Sequence, residues 1–421
     1  MKFVNVLSFS FLVFLFIASC DTNEPPVQST LVLKLEDVSC TEAWLQLTSA
    51  NIQLPNNISV LINGSVKKTL TLNSKDSLIY IDSLFPNQTY KLLATMQQSS
   101  NASNELSITT LDTTSHNFTW QTFEFGQHSS SILYDVAIID ENNIWAVGEI
   151  YMNDSLGTPD PIAYNAINWN GTEWKPKKIN VLFRGNVITP PLESVFALSD
   201  TDIWFVGSLP IHGNGTTWIM YDLRTTVDPN ISLSRGWGNS STEMYFVGRA
   251  GNIAQYKNGN WTKIESGTSQ DLQDIWGVEN EDGNFIKFIA ADNQILMLDA
   301  DNKIASVNVA QNMILLSIWG KTPNLLYTAG NGAILYKNYG WESLNNSNVN
   351  HMYRVRGQEY NDVFGISSPG NIINHFNGSS WLTYNEHYMQ GILVSIATKN
   401  KIVVTVGLSG SKAIIIKGER N

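Results

Sequence analysis

Six histidines, seven arginines and two cysteines hold most of the reactive chemistry available to this 421-residue chain. Their spacing uses little of it. His116, His128, His212, His351, His375 and His387 form no H-E-x-x-H pair or other metal-ligating pattern, so no metal is expected. No G-x-S-x-G elbow, P-loop or G-x-G-x-x-G phosphate cradle occurs, so no catalytic residue and no cofactor is expected. What remains suits recognition. Trp237, Trp276 and Trp319 stand at matching places in a repeated pattern, and Arg356 is next in line. Aromatic rings beside a guanidinium can stack on a sugar or a peptide. The same residues can instead fill the space between repeats. The stretches 345–353 and 385–390 read as long connections carrying or adjoining His351, Tyr353, Arg354, His387 and Tyr388. Loops on a rigid scaffold are where binding usually sits, though many solvated loops carry such residues without function.

Of the two thiols, Cys20 has the clearer context. Lys2 precedes an apolar stretch from Val6 to Ala18, and small residues then lead to the cysteine. That is the order of a secretory signal, and the stretch falls short of the roughly 20 apolar residues of a membrane-spanning helix. Ile17-Ala18-Ser19-Cys20 resembles the lipobox of bacterial lipoproteins. The resemblance implies removal of residues 1–19, lipidation of Cys20 and a place in the bacterial cell envelope, at the outer membrane or cell surface. Acyl chains contribute about 0.8 kcal/mol per buried CH2, so several chains anchor firmly. Residues 20–29 are polar and Pro-rich, as in a flexible tether. A Cys20–Cys40 disulfide is the competing reading, since exported proteins tend to pair their cysteines.

A formal net charge of −11 argues against nucleic acid, which attracts basic surfaces. A hydrophobic content of 43% is enough for packed cores. Beyond residue 20, short β-branched and aromatic runs alternate with Asn-Gly, Gly-Asn and Asp-rich breaks, which predicts an all-β chain.

Residues 30–112 contain seven strand-like runs, with Trp44 on the second. Leu84-Phe85-Pro86-Asn87-Gln88-Thr89-Tyr90 resembles the turn and tyrosine corner of fibronectin type III domains. The resemblance implies a sandwich acting as a spacer; Cys40, a lone cysteine near the second strand, departs from the family's pattern and is expected to be buried and inert.

Residues 113–421 repeat. The second strands read IWAVG (144–148), IWFVG (203–207), MYFVG (244–248), LYTAG (326–330) and IVVTVG (402–407). First-strand partners lie eight residues upstream: Ala137 with Trp145, Phe196 with Trp204, Trp237 with Tyr245, Trp319 with Tyr327, Arg356 with Phe364 and Ile396 with Val404. Trp276 pairs with Phe288 across an insertion near 281–284. Units of four short strands at a period of about 40 residues must stack to bury their faces. Stacked radially, they form a β-propeller. The units resemble the Trp- and Gly-marked blades of secreted bacterial propellers, distantly those of sialidases and kelch proteins. The last unit lacks a fourth strand, and residues 115–125 read as that strand. A seven-bladed propeller closed by 115–125 is therefore expected, which removes exposed sheet edges.

The sialidase resemblance does not extend to chemistry. Gly215-Thr216-Thr217-Trp218 matches the tail of an Asp-box, but Ile211 and Gly213 stand where Ser and Asp belong. Sialidases also use three arginines to clamp a carboxylate. Arg235, Arg354 and Arg356 lie on or beside first strands and are the available trio. Asp299-Ala300-Asp301 matches the D-x-D of glycosyltransferases yet reads as a hairpin turn. The leading reading is a non-enzymatic envelope lipoprotein, tethered to the membrane by lipid, whose propeller binds a protein or glycan. The alternative is a carbohydrate-active enzyme, sialidase-like or glycosyltransferase-like, on the propeller face.

Overall fold

A computed structural model describes residues 29–97, 101–280, 282–309, 313–323, 325–331, 333–337, 340–344, 349, 351–367, 372–384 and 391–421. The signal and Cys20 lie outside them, as do His387 and Tyr388. The described chain divides into two compact units. One comprises residues up to Glu36, Trp44–Ile79 and Tyr90–Ile108; the other comprises Asp37–Ala43, Tyr80–Thr89 and Thr109–Asn421.

Seven N-terminal strands make two sheets. One orders Thr30–Val38, Ala43–Ala50 and Asp76–Ile81. The other orders Ser65–Leu72, Asn56–Ile62, Thr89–Met96 and Leu106–Thr109. Burial alternates along them, as a half-covered sheet requires: Leu31 and Leu33, Leu45 and Leu47, Ile58 and Val60, and Leu92 and Ala94 are all buried. Cys40 is buried and unpaired. Burial pushes its thiol up to about 11, which keeps it protonated.

The larger unit is a β-propeller of seven four-stranded blades. In chain order the first strands are Ile132–Asp140, Ser194–Ser199, Leu233–Ser240, Asp274–Glu279, Leu315–Thr322, Met352–Glu359 and Gly391–Lys399. Each touches the next, and the seventh touches the first, so the seven ring one axis. Blade 7 takes its outer strand from the start of the unit. Phe118–Phe125 pairs antiparallel with Lys412–Arg420, from Ala413 against Phe125 to Arg420 against Phe118. The expected closure is the one observed.

Second strands explain the signature of the repeat. Ile144, Trp145, Ala146 and Val147 are all buried, as are Ile203, Trp204, Phe205 and Val206. Such a strand is covered by a blade on each face, so it reads as continuous apolar sequence rather than as an alternation. The described clusters accordingly lie between blades: one joins Ile144, Ile167 and Trp174 of blade 1 to Ile402, Val404 and Ile415 of blade 7. The terminal glycine has its own cause. At Gly148 a Cβ would run into the Ile132 carbonyl, and at Gly207 into that of Pro191.

The eightfold spacing is also structural. In blades 1, 2, 3, 5 and 6 the ladder is irregular beside the first turn. Blade 7 lacks that irregularity, so Val404 pairs with Ala397, and the Ile396 of the sequence pattern pairs with Thr405.

Candidate functional site: the central channel

The propeller axis contains a cavity of about 180 Å³. It is lined by Asp135, Ser194, Arg235, Trp237, Asp274, Trp276, Arg356 and neighbouring apolar residues. Its polar side chains are not scattered. Seven first-strand residues occupy one equivalent register, each opposite the second-strand residue that precedes the blade's turn outward. They are Asp135, Ser194, Arg235, Asp274, Ser317, Arg354 and Ser395, paired with Val147, Val206, Val247, Ala290, Ala329, Ile366 and Val406. Every blade thus carries one polar residue at one level of its first strand, and those of blades 1 to 4 line the cavity.

This belt meets a backbone need. A first strand pairs on one side only, so its other row of N–H and C=O groups faces the axis unpaired. Asp135 accepts the Val195 N–H at 3.1 Å, and Asp274 accepts that of Ile318 at 3.0 Å. Ser317 accepts the Val355 N–H at 3.3 Å. In each case a belt side chain caps the residue after the belt position in the next blade. The hydroxyls of Ser395 and Ser317 donate to Asp135 (2.6 Å) and Asp274 (2.9 Å). Arg354 donates to the carbonyls of Leu316 and Val394, reaching blades 5 and 7.

Asp274 and Arg356 form a two-pronged pair from blade 4 to blade 6, at 2.8 and 2.9 Å. Burial alone would raise the Asp274 carboxyl; Arg356 outweighs it and holds it below the usual carboxylate range. Burial likewise works against charge on Arg356, and Asp274 more than restores it. Arg354 has no carboxylate partner among the described residues. Burial, and then the charge of Arg235, bring it down to about 10.

The tryptophans are accounted for one by one. Trp237 lies against Gly277 of blade 4, where a Cβ would overlap its ring, and Trp319 lies against Gly357 of blade 6 in the same way. Trp276 donates its indole N–H to the Gly320 carbonyl of blade 5 at 2.7 Å and stacks under Arg356. Each ring crosses to the next first strand. Trp237 and Trp319 are buried at 6% and 2% exposure, so they offer little face to a ligand. Tyr353 and Arg354 lie inside the strand Met352–Glu359 rather than in a connection. The Tyr353 hydroxyl donates to the Leu393 carbonyl of blade 7. His351 is exposed in the preceding turn, with a positive φ of 66°. The cavity therefore takes Trp237, Trp276 and Arg356 from the sequence candidates, while Trp319, Arg354, Tyr353 and His351 do not line it.

Other polar clusters belong to the blades. Asp202, Trp204 and His212 interlock on blade 2, with the His212 ring stacked on Trp204 at 4.0 Å. Blade 6 repeats the arrangement with Asp362, Phe364 and His375. Asp299 accepts the N–H groups of Asp301 and Lys303 at 2.9 and 2.8 Å, which makes the D-x-D segment a turn. Asn214, at the head of the Asp-box-like stretch, accepts those of Thr216 and Thr217 at 3.1 and 2.9 Å. Among the described residues, no group of three or more His, Cys, Asp or Glu could hold a metal ion.

No protein-family model matches the chain, and no curated protein sequence does. Solved structures do. YCF48 bound to D1 peptide aligns at a TM-score of 0.53 and 14% identity, over 72% of this chain and 97% of that one. Virginiamycin B lyase from Staphylococcus aureus aligns at 0.53 and 10%, over 72% and 100%. The WD40 propeller domain of Doa1 aligns at 0.51 and 12%, over 72% and 98%. At these identities the likeness establishes a shared β-propeller fold.

Proposed function

We propose that this chain is a lipid-anchored protein of the bacterial envelope whose propeller binds a protein or glycan without transforming it. In this reading Cys20 carries the lipid and residues 20–29 are the tether. The fibronectin type III-like sandwich is the spacer, and the propeller is displayed at the outer membrane or cell surface. One observation carries the non-enzymatic part. Among the described residues, both carboxylates lining the axial cavity are engaged, Asp274 by Arg356 and the Ile318 N–H, Asp135 by Ser395 and the Val195 N–H, while beside it Asp271 accepts the Ala250 N–H and Glu193 lies 3.8 Å from Arg249. General acid–base work on a glycoside needs two carboxyl groups about 5–10 Å apart and open to substrate.

The fold itself is neutral. Among its neighbours, YCF48 is bound to a peptide and another is named as a lyase. The alternative is therefore a carbohydrate-active enzyme on the propeller face. Arrays of glycans and envelope proteins, probed with the soluble chain, separate the two. Saturable binding with the ligand recovered intact supports the proposal, and hydrolysis of a glycoside overturns it.

A further inference from the structure

The belt carries charge as well as hydrogen bonds. The cavity lining holds two guanidiniums, Arg235 and Arg356, and two carboxylates, Asp135 and Asp274, with Arg354 of the belt outside it. The hydrogen bonds show which of these guanidiniums is engaged. Arg356 faces Asp274. Arg354 lies behind the lining, turned onto two carbonyls. Arg235 lines the cavity, and among the described residues its hydrogen bonds go only to the carbonyls of Glu193 and Ser234, at 3.1 and 3.0 Å, both from Nη1. Arg235 also lines a second cavity of about 320 Å³ with Glu193, Arg249 and Asp271, where the Glu193 carboxylate is 3.8 Å from Arg249 and Asp271 accepts the Ala250 N–H at 2.8 Å. Among the described residues the Nε and Nη2 of Arg235 make no hydrogen bond, so three of its five N–H donors are unused.

We infer that the channel binds the carboxylate of a small organic acid, or of an acidic side chain on a partner, with Arg235 as the anchoring residue. The planar fork of arginine favours a carboxylate. The same cavity is lined by Phe196, Ile275 and Trp276, so the site takes an apolar body behind the charged head. An apolar cavity of about 150 Å³ accommodates benzene. The 180 Å³ here admits a body of similar size, such as butyrate. This is not a three-arginine clamp, because Arg356 and Arg354 are already engaged. It rests on the binding reading above and names the group bound.

Calorimetric titration of the full chain with butyrate, with butyramide and with a short peptide containing glutamate tests the inference. Butyrate is expected to bind and butyramide, of the same shape without the charge, is not. Arg235→Gln is expected to weaken butyrate at least about tenfold, the value of a charged hydrogen bond. Arg235→Lys, which keeps the charge and loses the fork, is expected to fall between them. Melting curves matched to wild type identify variants that fold. Binding of the peptide but not butyrate, still dependent on Arg235, assigns the carboxylate to a partner's side chain. Equal binding of butyrate and butyramide, full binding by a folded Arg235→Gln variant, or no binding of either carboxylate overturns the inference. A peptide or glycan held independently of Arg235 would overturn it while leaving the binding function in place.

Discussion

Single side chains in the channel do structural work that their types conceal. Asp274 and Arg356 were both visible as residues, yet only the propeller brings positions on blades 4 and 6 within 2.8 Å. Removing one member of a buried ion pair leaves the other uncompensated, at a cost of about 3–5 kcal/mol. Asp274→Ala is expected to lower unfolding free energy in urea by that order, and the Asp274→Ala/Arg356→Met double variant by less than the sum of the singles. Trp237→Ala should cost a similar 3–5 kcal/mol as a core cavity. Gly277→Ala, touching no ligand, should also destabilise, because its methyl meets the Trp237 ring. Loss of ligand binding by Trp237→Ala with stability unchanged would return that ring to recognition. The aromatic position could be read from the sequence as a repeat. The belt two residues before it was there too, as Asp135, Ser194, Arg235, Asp274, Ser317, Arg354 and Ser395. It is hidden in the sequence because Asp, Ser and Arg share no single residue type, only the capacity to bond a neighbouring backbone.

Strands and their pairing were the most legible level. All seven sandwich runs and the repeating second strands are where β-branched and aromatic residues cluster. The misplacements have local causes: Ile396 is displaced from its expected pair by a missing irregularity, and Tyr353 sits in a strand that begins earlier than its polar context suggested. The seam between blades 6 and 7 was not legible at all, since it joins residues some 260 positions apart. There His116 Nδ1 meets His375 Nδ1 at 2.8 Å, and Asp362 bonds both His375 and Arg420. Burial, then the charges of His375 and Arg420, bring His116 down to about 4. The unfolded chain then takes up a proton near pH 6.5 that the folded chain refuses until about pH 4. Stability is therefore expected to fall as pH drops through that window, and His116→Gln should flatten the slope. An identical slope in wild type and variant contradicts this account of the seam. Deleting 412–421 removes the strand that pairs with Phe118–Phe125 and should lower the melting temperature; an unchanged melt contradicts the closure.

At the scale of the whole molecule, repetition gave blade number and closure away, because seven copies of one pattern leave few arrangements. Anchorage and ligand are of a different kind. The lipobox resemblance concerns a modification made by other enzymes, and the identity of a ligand is not set by the packing of the chain's own core. Cys20→Ser is expected to release the protein from membranes while leaving its melting curve unchanged; a variant that stays membrane-bound contradicts the lipid anchor. The central claim is binding without turnover. It is tested most directly by holding the soluble chain with a captured glycan or envelope protein at saturation and weighing the recovered ligand by mass spectrometry. Recovery at its original mass is the result this account predicts, and a shortened or cleaved ligand would contradict it.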